Sequence, residues 1–224
     1  MLRSTNDLRG YKLREKDGDI GIARDFLFDD RAWVIRYLVA DTRTWLPGRR
    51  VLISPHAIAG TDWLGGWLDL DLTRQQVRNS PDLGEDLPVS RQLEEKLARY
   101  YAWPRYWLSR PPESPEMTRM VKGDVCLRSA KEITGYHVEG ADGRVGHVED
   151  FVIEDDDWSI RFVVVDPRDW LPAKKVVIAP QRIERVNWSG RTVHVARTRE
   201  EIRNGPEYDP AMTVRREDEL LRRG

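Results

Sequence analysis

Four histidines, one cysteine and an acidic run, Glu154-Asp155-Asp156-Asp157, are the residues of this 224-residue sequence best suited to metal or nucleophilic chemistry. Their spacing assembles no reagent. His56, His137, His147 and His194 make no H-x-x-x-H pair of the kind that places two imidazoles on one zinc. Cys126 lies between Lys122 and Arg128 with no histidine nearby, which reads as an idle thiol rather than a nucleophile. The acidic run lacks the alternate spacing of a calcium loop and reads as a polar hairpin tip. Gly143-Arg144-Val145-Gly146 is too short for a dinucleotide loop, and no G-x-S-x-G is present. The sequence therefore predicts a non-enzyme, with no catalytic residue, no metal site and no cofactor. Two basic pairs, Arg49-Arg50 and Lys174-Lys175, are candidate contacts for an anion or partner; solvated protection of a strand edge is the competing reading.

The elements carrying these residues come in duplicate. Sliding the chain by 125 positions without a gap pairs residues 2–83 with 127–208 and gives 31 identities in 82 pairs. Leu2-Arg3-Ser4 falls on Leu127-Arg128-Ser129, Trp33 on Trp158, and Trp45-Leu46-Pro47 on Trp170-Leu171-Pro172. No histidine position is shared by both copies. Within each copy the pattern is mostly strand. Asp17-Gly18 and Asp142-Gly143 suit tight hairpins. Trp33, Ile35, Tyr37 and Val39 alternate on one face, as a half-buried strand requires. Val51-Leu52-Ile53 and Val176-Val177-Ile178 are short core strands stopped by Pro55 and Pro180. Two further strands flank Gly65-Gly66. Thr73-Arg74-Gln75-Gln76 and Thr198-Arg199-Glu200-Glu201 then read as capping boxes of short helices. So many short strands per copy, without crossover helices, predict a small closed or nearly closed barrel.

Between the copies, Leu93, Leu97, Tyr100 and Tyr101 recur at helical spacing after a Ser90 cap and before Pro104. Tyr100, Tyr101, Trp103, Tyr106 and Trp107 crowd into RYYAWPRYW, and so much aromatic surface is expected to bury itself or a partner. These five, with Arg49, Arg50, Lys174 and Lys175, are the candidate interaction residues. Structural roles are expected for Trp45 and Trp170, which cover a barrel end, and for Arg36 and Arg161, which interrupt apolar strands. The arginines are expected to pair with a duplicated carboxylate, Asp41 with Asp166 or Asp25 with Asp150. The layout read from sequence is 1–83 first barrel, 84–120 helical aromatic connector, 121–210 second barrel, and 211–224 a short helix or tail. RPPESPEM, 110–117, is the flexible boundary.

The stretches Gly18 to Asp30, Trp33 to Asp41 and Trp45 to Pro55, repeated in the second copy, resemble the PRC-barrel domain. That family is named from the cytoplasmic part of the photosynthetic reaction-centre H subunit, and a ribosome maturation factor carries the same kind of barrel. The resemblance covers about three-quarters of the chain and implies a mainly β protein: two PRC-type barrels in tandem, each followed by a short helix. It implies no shared catalytic residue. A non-catalytic adaptor for protein interaction and assembly is the leading expectation, with a homo-oligomer through barrel or connector surfaces and a protein partner whose identity the sequence does not give. The alternatives are a ribosome- or RNA-processing factor and a peripheral accessory of a photosynthetic or electron-transfer membrane complex. Thirty-seven basic against 38 acidic residues give a net charge of −1, which disfavours RNA and argues against DNA. With no signal peptide, no apolar run of about 20 residues and one cysteine, a cytoplasmic location without a membrane span is expected.

Overall fold

The computed structural model describes residues 1–42, 46–47, 49–83, 89–108, 127–167 and 174–210. In chain order these form β1 (Leu2–Ser4), α1 (Thr5–Leu8), β2 (Lys12–Glu15), β3 (Gly18–Asp29), β4 (Val34–Asp41), β5 (Arg50–Ile53), β6 (Ile58–Asp62), β7 (Trp67–Leu70), α2 (Arg74–Asn79) and α3 (Arg91–Tyr101). They continue as β8 (Leu127–Ser129), α4 (Ala130–Ile133), β9 (His137–Gly140), β10 (Gly143–Glu154), β11 (Ile160–Asp166), β12 (Val176–Ile178), β13 (Ile183–Asn187), β14 (Thr192–Val195) and α5 (Arg199–Arg203). The chain is mainly β, as its alternating patterns predict.

The strands make two seven-stranded sheets. One has the order β5-β4-β3-β2-β7-β6 with β8 added on β3; the other has β12-β11-β10-β9-β14-β13 with β1 added on β10. In each order the two end strands remain unpaired with one another, so pairing among the described residues leaves an open sheet where a closed barrel was expected. Most pairs are antiparallel, but β2 with β7 and β9 with β14 are parallel. The predicted hairpins turn on Lys16-Asp17 and Ala141-Asp142, with Gly18 and Gly143 opening the next strand at φ +140° and +128°. Both capping boxes form, Thr73 with Gln76 and Thr198 with Glu201. Trp33 leaves the predicted alternation: it sits in the turn before β4 at φ 53°, as Trp158 does before β11 at φ 59°.

Long β3 and β10 carry the cores. In one, Leu27, Tyr37, Val39 and Leu52 pack with Leu83, Val89, Leu97 and Leu127; in the other, Leu2, Val152, Phe162, Val164 and Val177 pack together, with Tyr208 against them. Chain crossing is closest at two glycines. A Cβ on Gly21 would lie 1.9 Å from the Asp41 carbonyl, and one on Gly146 would lie 2.2 Å from that of Asp166. Only glycine admits such an approach.

The division of the chain departs from its linear order. One compact unit holds Met1–Leu8, Arg31–Ile35 and the described residues from Ser129 onward; the other holds Arg9–Asp30 and the described residues from Arg36 to Arg128. Residues 1–8, grouped by the sequence reading with the first barrel, instead give a strand to the back sheet. Leu2, Arg3 and Ser4 lie opposite Glu154, Ile153 and Val152. β8, which heads the back half of the sequence, in turn pairs with β3. The ion pairs correspond as well: Arg3 Nε meets Asp155 at 3.3 Å, and Arg128 Nε meets Asp30 at 3.3 Å.

Candidate functional site

The aromatic connector, the strongest interaction candidate in the sequence, belongs to the front unit. Ser90 caps α3 by accepting from the Leu93 amide at 3.3 Å, and the helix ends where Ala102 turns left-handed at φ 57°. The turn comes two residues before Pro104, the predicted stop. A short 3-10 turn, Tyr106–Leu108, follows. Leu93, Leu97 and Tyr101 share the inner face of α3, and Leu93, Tyr101 and Trp103 pack on the core around Tyr37, Val39 and Leu52. Tyr101 stacks on Trp103 at 4.1 Å, and Trp103 lies 6.3 Å from Tyr37. These two are anchors. Tyr100 faces outward, 41% exposed, with its hydroxyl donating to the Gln76 carbonyl at 3.0 Å.

Beyond the anchors lies a shelf of rings and charges. Tyr106 meets Trp107 edge to face at 5.0 Å. Arg36 covers the Tyr106 ring at 3.9 Å, and Arg91 covers the Trp107 ring at 4.5 Å. Beneath them Glu94 is only 2% exposed, paired with Arg91 at 2.7 Å and accepting from the Tyr106 hydroxyl at 2.6 Å. Burial lifts the Glu94 carboxyl to a pKa of about 6, against the opposing pull of Tyr106 and Arg91. Burial likewise raises the Tyr106 and Tyr37 hydroxyls well above their ordinary range, with the Glu94 charge adding to the effect. A buried acid, two arginines and a tyrosine hydroxyl thus fix the floor of a surface whose rim is Trp107 and Leu108, the latter 68% exposed.

The other expected residues are placed as follows. Arg36 pairs with Asp29 at 3.5 Å rather than with Asp41 or Asp25, because Asp29 stands at the near end of the paired strand and Tyr106 holds the guanidinium there. Arg161 contacts Asp157 at 3.4 Å, a carboxylate with no counterpart in the first copy. Arg49 donates to the Arg78 and Ser80 carbonyls and so closes the end of α2. Arg50 lies exposed opposite Asp41 in the β4–β5 register. Lys174 pairs with Glu207 at 2.7 Å and Lys175 with Glu149 at 2.6 Å. Glu154 and Asp155 of the acidic run receive the Met1 ammonium, and Arg3 also contacts Asp155, so part of the turn's charge is met within its own unit. Trp45, Trp170, Cys126, the 110–117 boundary and the 211–224 tail lie outside the described residues.

Sequence reasoning missed three features. Asp150, 4% exposed, accepts from the Ser4 and Thr5 hydroxyls, from the Asn6 amide at 3.1 Å and from the Phe151 amide at 2.7 Å. Burial raises its pKa against those bonds. Glu15 is 5% exposed, neither carboxyl oxygen has a hydrogen-bond partner, and burial lifts it to a pKa of about 8. Its counterpart in the second copy is Gly140, so the repeat gave no signal for it. Finally, two open clefts lie at corresponding places, one lined by Asp17, Arg74, Gln75 and Arg78, the other by Asp142, Arg199, Glu200, Arg203 and Asn204. Their signal was the capping-box helices, whose first amides bond Asp17 at 2.8 Å and Asp142 at 2.6 Å. No helix among the described residues is long and apolar enough to cross a membrane. No protein-family model matches the chain, and no curated protein matches it.

Proposed function

We propose that this chain is a non-catalytic interaction and assembly module built from two PRC-barrel-like units, and that it holds a protein partner on the shelf formed by Arg91, Tyr106, Trp107 and Leu108. The family likeness rests on the residue pattern of Gly18 to Asp30, Trp33 to Asp41 and Trp45 to Pro55; the shared strand order of the two sheets supports the duplication of one unit. One observation carries the binding role. Trp107 and Leu108 stand at the rim of a floor fixed by buried charge pairs, so aromatic and arginine side chains are presented without the cost of ordering them on contact. Tyr101 and Trp103 serve the fold, and the outer residues serve recognition.

The test is capture from a native cell extract by the immobilised chain, alongside Trp107→Ala and Leu108→Ser variants checked for an unchanged melting temperature. A partner retained by the parent and lost by both variants is expected. A captured set indifferent to both substitutions would refute the role of the shelf.

A further inference from the structure

The strand β1 presents a second surface, one that does not depend on the adaptor reading. Leu2-Arg3-Ser4 and Leu127-Arg128-Ser129 are the same tripeptide, and each completes the sheet of the other half of the sequence. Both have a buried leucine, 2% exposed in each case, a half-buried arginine and a buried serine. Both place that arginine 3.3 Å from the matching aspartate, Asp155 or Asp30. The back sheet holds its added strand firmly. The Asp155 amide donates to the Met1 carbonyl at 2.9 Å, and buried Asp150 receives the Ser4 and Thr5 hydroxyls with the Asn6 amide.

Nothing in this acceptor edge records which chain the strand comes from. Pairing, ion pair and carboxylate latch all contact residues 1–6, and the chain leaves the latch through Gly10, whose φ of +94° and open surroundings permit a change of direction. An exchange that reproduces every native contact is the low-cost route from monomer to dimer. We propose that the edge of β10, with Asp150 and Asp155, is a strand-acceptor site that takes Leu2–Ser4 of a second copy of this chain, giving a strand-exchanged homodimer. Closure within one chain is favoured at low concentration by the tether, and exchange between chains by refolding at high concentration.

Full-length chains of ordinary and heavy-isotope composition are mixed in equal amounts, unfolded, and refolded together at high concentration. Monomer and dimer are separated by size and treated with a carbodiimide, which joins an ammonium to a carboxylate already in contact, here Met1 to Glu154 or Asp155. In the monomer the joined peptides carry one isotope only. In the dimer, about half of them carry both, as random exchange between equal pools requires. Absence of a dimer, or a dimer whose Met1 cross-links are all of one isotope, would overturn the proposal.

Discussion

Replacing Glu15 by glutamine should stabilise the front unit at neutral pH and leave it nearly unchanged at pH 4.5. The acid stands at the end of β2, 5% exposed, with both oxygens unpartnered. Burial is the main cause of its pKa of about 8, against 4.5 in water; the charge of Asp17 adds to it and that of Arg74 opposes it. The folded chain therefore keeps a proton there that the unfolded chain releases. Stability is full below pH 4.5 and falls as pH rises towards 8, where the folded group also ionises. From 4.5 to 7 the loss, at ~1.4 kcal/mol per pH unit, comes to about 3 kcal/mol. Glutamine occupies the same volume, carries no titratable proton and resembles the protonated acid.

Urea unfolding of the parent and of Glu15→Gln at pH 5, 6, 7 and 8 reads this directly. The difference between the two curves isolates Glu15 from every other titrating group, Glu94 included. The variant should gain ground by ~1.4 kcal/mol per pH unit between pH 5 and 7 and level off near pH 8. Parallel curves across that range would refute the reasoning, since they would mean that Glu15 is ionised and satisfied where it lies.

Three other outcomes follow from the same contacts. Tyr106→Phe removes the hydroxyl that favours ionised Glu94; the front unit should lose about 1–3 kcal/mol above pH 6 and less at pH 5, measured by unfolding at both values. Asp150→Ala strands two hydroxyls and two amides; the cost should be about 3 kcal/mol or more, with faster hydrogen exchange at the amides of residues 2–6. Gly146→Ala drives a methyl into the Asp166 carbonyl and should cost about 2 kcal/mol or more by denaturant unfolding.

Much of the fold was legible because its signals are local. Capping boxes at Thr73 and Thr198 require residues three apart in sequence, and both formed. The strands around Tyr37 and Val39 announced themselves by alternation, and α3 by the spacing of Leu93, Leu97 and Tyr101. Less of the candidate site was legible. The aromatic segment stood out by composition, but its division into anchors and rim depends on where α3 turns at Ala102 and on Arg36 arriving from β4. Glu94 carried no signal of its own in the sequence, because its burial depends on Tyr106 and Arg91 closing over it. The pairing of charges was the weakest signal: Arg36 found Asp29, seven residues away, where the duplicated aspartates had been favoured.

The exchanged strand exposes the limit most clearly. Identical tripeptides head the two halves of the sequence, and an identical arginine-to-aspartate contact rewards either assignment. Hydrophobic period fixes which face of β1 is buried but not which of two equivalent edges receives it. That choice belongs to chain connectivity, which leaves no mark on the composition of the strand.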